Sequence, residues 1–189
     1  MEYRKNDIVT LEIVDCGTDG EGIGKADGFT VFVKDAVIGD IVTAKIMKAK
    51  KNYGYGRLME ILKPSPYRVE PVCPSARQCG GCQLQAVSYE EQKVFKEKKL
   101  RGHLERIGGF RDLPMEPMIG MDEPYHYRNK AQFPVGRNKE GRIITGFYAG
   151  RTHAIIENRD CALGIPQNKE ILDIVIAHME KYGIAPYDE

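Results

Sequence analysis

A mainly β fold is predicted, a small closed barrel followed by an α+β second domain, and three observations predict it. Short alternating apolar runs separated by glycines fill the chain up to residue 63. The run Lys63-Pro64-Ser65-Pro66 then breaks the pattern, because prolines end a strand and stiffen the exit from it. Beyond it, two helical periodicities are interleaved with further β patterns.

Taken in order, strand-like runs cover residues 8–14, 29–33, 41–47 and 55–62, with Gly17, Gly20, Gly22, Gly24, Gly28, Gly39 and Gly54 between or within them. Several short strands with glycine corners suit a small barrel. Gly20, Gly22 and Gly24 form a G-x-G-x-G run, but its spacing is wrong for a dinucleotide loop and no helical pattern follows it. In the second domain, Ser88 with Glu91 predicts a capping box for a helix to about residue 107, closed by Gly108 and Gly109. Tyr89, Leu100, Leu104 and Ile107 lie along one face of it. Strands are then expected at 115–120, 129–136, 143–148 and 153–157. The last helix carries a stripe of Ile171, Leu172, Val175, Ile176 and Met179, and Gly183 stops it.

The 189 residues suffice for one large or two small domains, and no apolar run approaches the length of a membrane span. No apolar signal-peptide core follows Met1, so a soluble, cytoplasmic protein is expected, with no membrane partner and no obligate protein partner, a monomer. Net charge is only +1, but cations gather in two places. Residues 41–59 hold Lys45, Lys48, Lys50, Lys51 and Arg57 with no acid. Residues 125–153 hold Arg128, Lys130, Arg137, Lys139, Arg142 and Arg151 against Glu140. A barrel of this size can bind single-stranded nucleic acid through a charged groove and stacking rings, which Lys50, Lys51, Tyr53, Tyr55 and Arg57 would supply on one hairpin. A hairpin with its tyrosines packed inward is the plainer alternative.

Cys73, Cys79 and Cys82 form C-x5-C-G-G-C, and Cys161 lies far downstream. Thiolates are soft ligands that suit zinc or iron-sulfur centres, and small residues between them leave the backbone free to wrap closely. Structural zinc usually takes paired C-x2-4-C knuckles, whereas three cysteines plus one looks more like a cubane cluster. Spacing leaves iron-sulfur, zinc and unrelated thiols open. Were a metal bound, Cys161 would close some eighty residues of chain onto the first three ligands, and chelation should loosen the second domain. Cys16 sits in an alternating apolar stretch as a small core residue.

The order GEGIGKADGFTVFVKDAVIGDIVTAKI, SPYRVEPVCPSARQCGGCQLQ, SYEEQK, HYRNKAQFPVG and NRDCALGIPQ resembles the 23S ribosomal RNA (uracil-5-)-methyltransferase family across essentially the whole chain. CGGCQLQ with the downstream YRNKAQ and DC is its most specific part. The resemblance implies a TRAM module at 1–63, an RNA-binding barrel of the oligonucleotide-binding type, and an iron-sulfur and central α+β domain at 64–189. It also implies a [4Fe-4S] cluster on Cys73, Cys79, Cys82 and Cys161. Family members methylate C5 of a uridine from S-adenosylmethionine. A cysteine thiolate adds to C6, and a base later removes the C5 proton. The uridine must be extruded from its stack to reach them.

The family's catalytic α/β domain, with its cofactor site, nucleophile and base, has no counterpart among these residues. The expectation is therefore an RNA-recognition and iron-sulfur half with no catalytic residue of its own, inactive in isolation, with Cys16 no substitute nucleophile. Ribosomal RNA near an unpaired uridine is the implied partner. Arg128, Asn129, Lys130 and Gln132 combine phosphate-binding cations with amides that read base edges, while Tyr125, His126 and Tyr127 would stack on bases. Strand alternation would set Arg128, Lys130 and Gln132 on one face. Competing readings are a stand-alone iron-sulfur or zinc RNA-binding adapter, and a radical methylthiotransferase relative, against which the x5 spacing and fourth cysteine speak.

Overall fold

The structure, a computed structural model, describes residues 3–150 and 152–187. Two compact units form, one containing the barrel through Glu70 together with Gln83–Ile119, the other Pro71–Cys82 together with the chain from Gly120 onward.

In the first unit, β1 (Ile8–Cys16), β2 (Gly22–Ala26), β3 (Phe29–Lys34), β4 (Ile41–Ala49) and β5 (Tyr53–Lys63) close a barrel in the order β1-β2-β3-β5-β4. Neighbours are antiparallel except β3 and β5, which run parallel with Thr30 opposite Tyr53 and Phe32 opposite Tyr55. Alternation sends Val9, Leu11, Ile13, Val31, Val33, Val42, Ala44 and Ile46 into the core. Each Val, Leu or Ile side chain among them contributes up to about 1.5–3 kcal/mol when taken out of water.

Strand β2 lies where apolar alternation predicts none. Gly22 and Gly24 fill its inward positions, and a Cβ on Gly24 would fall 2.2 Å from Leu11 Cδ1 and 2.6 Å from the Glu12 carbonyl oxygen. Close approach of β1 thus demands glycine where a strand normally shows its apolar signal. Asp27 and Gly28 follow with φ of 47° and 83°, the paired positive angles of a tight two-residue hairpin turn, and β3 rather than a helix comes next.

Asp40 is the one charged side chain among the buried residues described, and it is fully enclosed. Its carboxylate accepts from the amides of Val37 (2.7 Å) and Ser65 (2.8 Å) and from Arg68 Nε (3.1 Å) and Nη2 (2.5 Å). The chain leaving the barrel through Pro64 is thereby bolted to the turn that precedes β4. Burial pushes the Asp40 pKa up, but the Arg68 hydrogen bonds, the two amides and the guanidinium charge outweigh it and hold the carboxyl below its ordinary value.

Helix α1 (Tyr89–Arg106) begins after Ser88, as its sequence predicts, but Ser88 makes no side-chain cap and the expected capping box with Glu91 does not form. Ser88 instead donates its amide to the Tyr67 carbonyl at 2.8 Å, and Gln92 Nε2 reaches the carbonyls of Leu84 (3.1 Å) and Val87 (2.9 Å). No α1 residue is buried, and Leu100 and Ile107 of the predicted stripe are exposed. Residues 115–120 contain no strand, contrary to expectation.

The second unit is built on an antiparallel sheet, β6 (Val135–Arg137), β7 (Ile143–Tyr148) and β8 (Ile155–Glu157), with α2 (Gln167–Tyr182) packed on β7. Ile143, Ile144, Thr145, Ala162 and Ile176 are buried, and the Thr145 hydroxyl donates to the Pro134 carbonyl at 2.9 Å. Of the five apolar residues predicted to line α2, Ile176 is buried, whereas Ile171 and Val175 are exposed. Gly183 ends α2 in the left-handed conformation (φ 63°), as expected. Among the described residues no helix is long and apolar enough to cross a membrane.

Candidate nucleic-acid interface and cysteine loops

On the barrel, Gly54 and Gly56 face inward on β5, so Tyr53, Tyr55 and Arg57 must face out. The inward-tyrosine alternative is excluded, since Tyr53 and Tyr55 remain 38% and 39% exposed. Lys50 and Lys51 are exposed in the β4–β5 turn, which the Lys50 amide closes on the Tyr53 carbonyl at 2.8 Å. Phe32, which the sequence reading passed over, stands outward on β3 beside the two tyrosines. Its ring centroid lies 5.9 Å from that of Tyr53 and 5.6 Å from that of Tyr55. Its position in the alternation of 29–33 marks it as outward-facing, but its partners depend on the parallel β3–β5 pairing.

In the second unit, Arg128, Asn129, Lys130 and Gln132 are all exposed. They do not share a strand, because residues 129–134 have no regular structure and β6 begins only at Val135, so the expected division into two faces does not arise. The segment is instead laid in parallel along the chain after Cys161. His126 donates its amide to the Ala162 carbonyl (3.0 Å), Arg128 donates to Leu163 (2.8 Å), and Ile165 donates back to Arg128 (3.2 Å). His126 adopts φ of 53°, and its Nδ1 lies 2.9 Å from the Gly164 carbonyl oxygen. The amides of His126 and Arg128 and the Arg128 carbonyl are thus occupied, while the side chains of Arg128, Asn129, Lys130 and Gln132 stay exposed.

All four cysteines of the predicted ligand set lie in this second unit, and none of the five cysteines forms a disulfide. Cys73 is buried, with Sγ accepting from Asn158 Nδ2 at 3.5 Å. Cys79 Sγ accepts from the Gly81 amide at 3.4 Å. Cys82 and Cys161 are half-buried. Backbone bonds fold 73–79 into consecutive turns, and Gly80 donates to the Tyr148 carbonyl at 3.0 Å. A Cβ on Gly80 would stand 3.1 Å from Gly150 Cα and N and from the Tyr148 oxygen, so close backbone approach to the end of β7 explains one glycine of C-G-G-C. Among the described residues no three or more His, Cys, Asp or Glu side chains are grouped to hold a metal ion. The donor set still fits a cluster in its chemistry, with four cysteines in one unit and N–H groups on two sulfurs, the kind of hydrogen bond that tunes cluster thiolates.

Cys16 ends β1 half-buried, its thiol pushed up to about 11 by burial first and then by Asp15 and Glu21. That is the reverse of an activated nucleophile.

Residues 4–59 match the TRAM domain family. Across 189 residues the chain is 45% identical to an uncharacterized RNA methyltransferase of Clostridium tetani, covering 100% of this chain and 41% of that protein. Over 186 residues it is 44% identical to an uncharacterized RNA methyltransferase of Halalkalibacterium halodurans, covering 98% of this chain and 40% of that one. Its fold is that of part of the Pyrococcus abyssi tRNA (uracil-54, C5)-methyltransferase crystallised with S-adenosyl-L-homocysteine. The TM-score there is 0.63 at 22% identity, over 94% of this chain and 38% of that one. The chain is therefore similar, over nearly its whole length, to about two-fifths of proteins called RNA methyltransferases.

Proposed function

We propose that these residues form the RNA-recognition part of an S-adenosylmethionine-dependent RNA (uracil-5-)-methyltransferase acting on 23S ribosomal RNA. The observation that carries this reading is the similarity above 40% to two RNA methyltransferases along nearly the full chain, joined to the TRAM match on the barrel. Methyl transfer to C5 through a cysteine–C6 adduct would be made by residues outside these 189, which on their own should leave RNA unmethylated. Lys50, Lys51, Tyr53 and Arg57 of the barrel and Arg128, Asn129, Lys130 and Gln132 of the second unit would grip the RNA around an unpaired uridine. Cations would meet phosphates, and the amides would meet base edges.

Cys73, Cys79, Cys82 and Cys161 would hold a [4Fe-4S] cluster. With four cysteine ligands it would supply no reaction step, only a cross-link between the 73–82 loop and the chain after β8.

Binding of the protein to labelled 23S ribosomal RNA fragments and to transfer RNA, titrated with salt, tests the reading. Arg128→Ala with Lys130→Ala should weaken binding and lower the salt slope by roughly one to two, since each lost phosphate contact removes about 0.7–0.9. Unchanged binding by the double variant at every salt concentration would remove these residues from the interface. Tighter binding of transfer RNA would move the substrate to that class.

A further inference from the structure

The outer face of the barrel between β2 and β4 carries more than the hairpin residues. Phe32 and Tyr55 lie side by side on the parallel β3–β5 pair, their rings inclined by 32°. Tyr53 stands edge-on to both, at 84° to Phe32 and 81° to Tyr55 with its centroid 5.9 Å from each. Two rings thus lie at a shallow angle to each other and the third stands across both. The corner faces outward from a sheet whose other side is the core, and the two tyrosines remain more than a third exposed.

Cations frame it. Ladder register puts Lys34 opposite Arg57 at one end, and Lys48 opposite Tyr55 on the β4 side. Lys25, opposite Thr30, borders the β2 side, and Lys50 and Lys51 sit in the turn next to Tyr53. None of these outward positions holds an acid. An aromatic corner ringed by positive charge matches one ligand chemistry, a polyanion that also offers flat π-faces.

We propose that Phe32, Tyr53 and Tyr55 form a stacking platform for one or two unpaired bases of single-stranded RNA, held by their faces with little regard to sequence. The proposal rests on the RNA-recognition reading and deepens it, since it separates a base-stacking site on the barrel from the phosphate- and edge-reading segment at 128–132. Bases within a duplex hide their faces, so the platform would reject paired RNA.

The test is fluorescence anisotropy with a 5′-labelled 12-nucleotide oligouridine, single-stranded and annealed to oligoadenosine, across a salt titration. Wild-type protein should prefer the single strand. Phe32→Ala, Tyr53→Ala and Tyr55→Ala should each weaken it by on the order of ten-fold at an unchanged salt slope, because stacking releases no counterions. Tyr53→Phe and Tyr55→Phe, which keep the rings, should bind within about two-fold of wild type, as a π-face needs no hydroxyl. Photo-crosslinking of wild-type protein to 5-iodouridine oligomers needs no variant and should label the peptides that contain Phe32 and Tyr53–Tyr55. Alanine variants that fold and bind as wild type, equal affinity for the duplex, or crosslinks confined to other peptides would overturn the platform. If the alanine variants retain binding while the Arg128 and Lys130 variants lose it, the platform fails and RNA recognition stands. No binding of any RNA by wild type would sink both.

Discussion

Replacing Asp40 by alanine should cost the barrel about 3–5 kcal/mol, the usual penalty for removing one partner of a buried pair. The structure shows where that comes from. The Val37 and Ser65 amides lose their acceptor inside the protein, at roughly 1–3 kcal/mol each. The Arg68 guanidinium, 18% exposed, loses its counter-ion but can turn partly to water, which moderates its share. Asp40→Asn keeps an oxygen for one amide yet presents its NH2 to the guanidinium, so an intermediate loss is expected. The pH dependence has a definite sign. Asp40 is held below its ordinary value when folded, so its contribution is complete above the unfolded carboxyl pKa of about 3.9 and disappears as pH falls through the folded value. Urea unfolding of parent and Asp40→Ala protein, followed by circular dichroism, should show a constant gap from pH 5 to 8 that narrows below about pH 4. A gap under about 1 kcal/mol at pH 7, or one that persists unchanged in acid, would refute this account of the pair.

Three further outcomes are expected. Gly80→Ala brings a methyl against the backbone of Gly150 and Tyr148, neither of which can swing aside, and should destabilise the second unit by about 1–3 kcal/mol, read as a lower melting temperature. An unchanged melting temperature would mean that the loop yields. With its thiol at about 11, Cys16 should be about a thousandth ionised at pH 8 and resist iodoacetamide until the protein is unfolded, as peptide mass spectrometry can follow. Native-state labelling as fast as a model peptide thiol would contradict that environment. Anaerobic reconstitution with iron and sulfide should yield about four of each per chain and a brown protein, with Cys161→Ser losing the colour. One bound zinc and no chromophore would point to a zinc site.

Four of the five barrel strands were legible because outward and inward residues alternate plainly along them, and the stop of α2 was legible at Gly183, whose left-handed geometry is a local property. Strand β2 was hidden because close packing against β1 puts glycine at inward positions, which erases the apolar signal. The segment at 129–134 has strand-like composition but finds no ladder, since the preceding backbone is spent on the chain after Cys161. Alternation tells a strand which face is wet, but it left the direction of Tyr53 and Tyr55 open until Gly54 and Gly56 were seen to fill the inward positions. It does not tell a strand its neighbour. The parallel pairing that sets Phe32 beside the two tyrosines, and the closure that buries Asp40 against Arg68, follow from how the barrel shuts. Such pairings join residues more than twenty positions apart, and their free energy exists only once the intervening chain has been ordered.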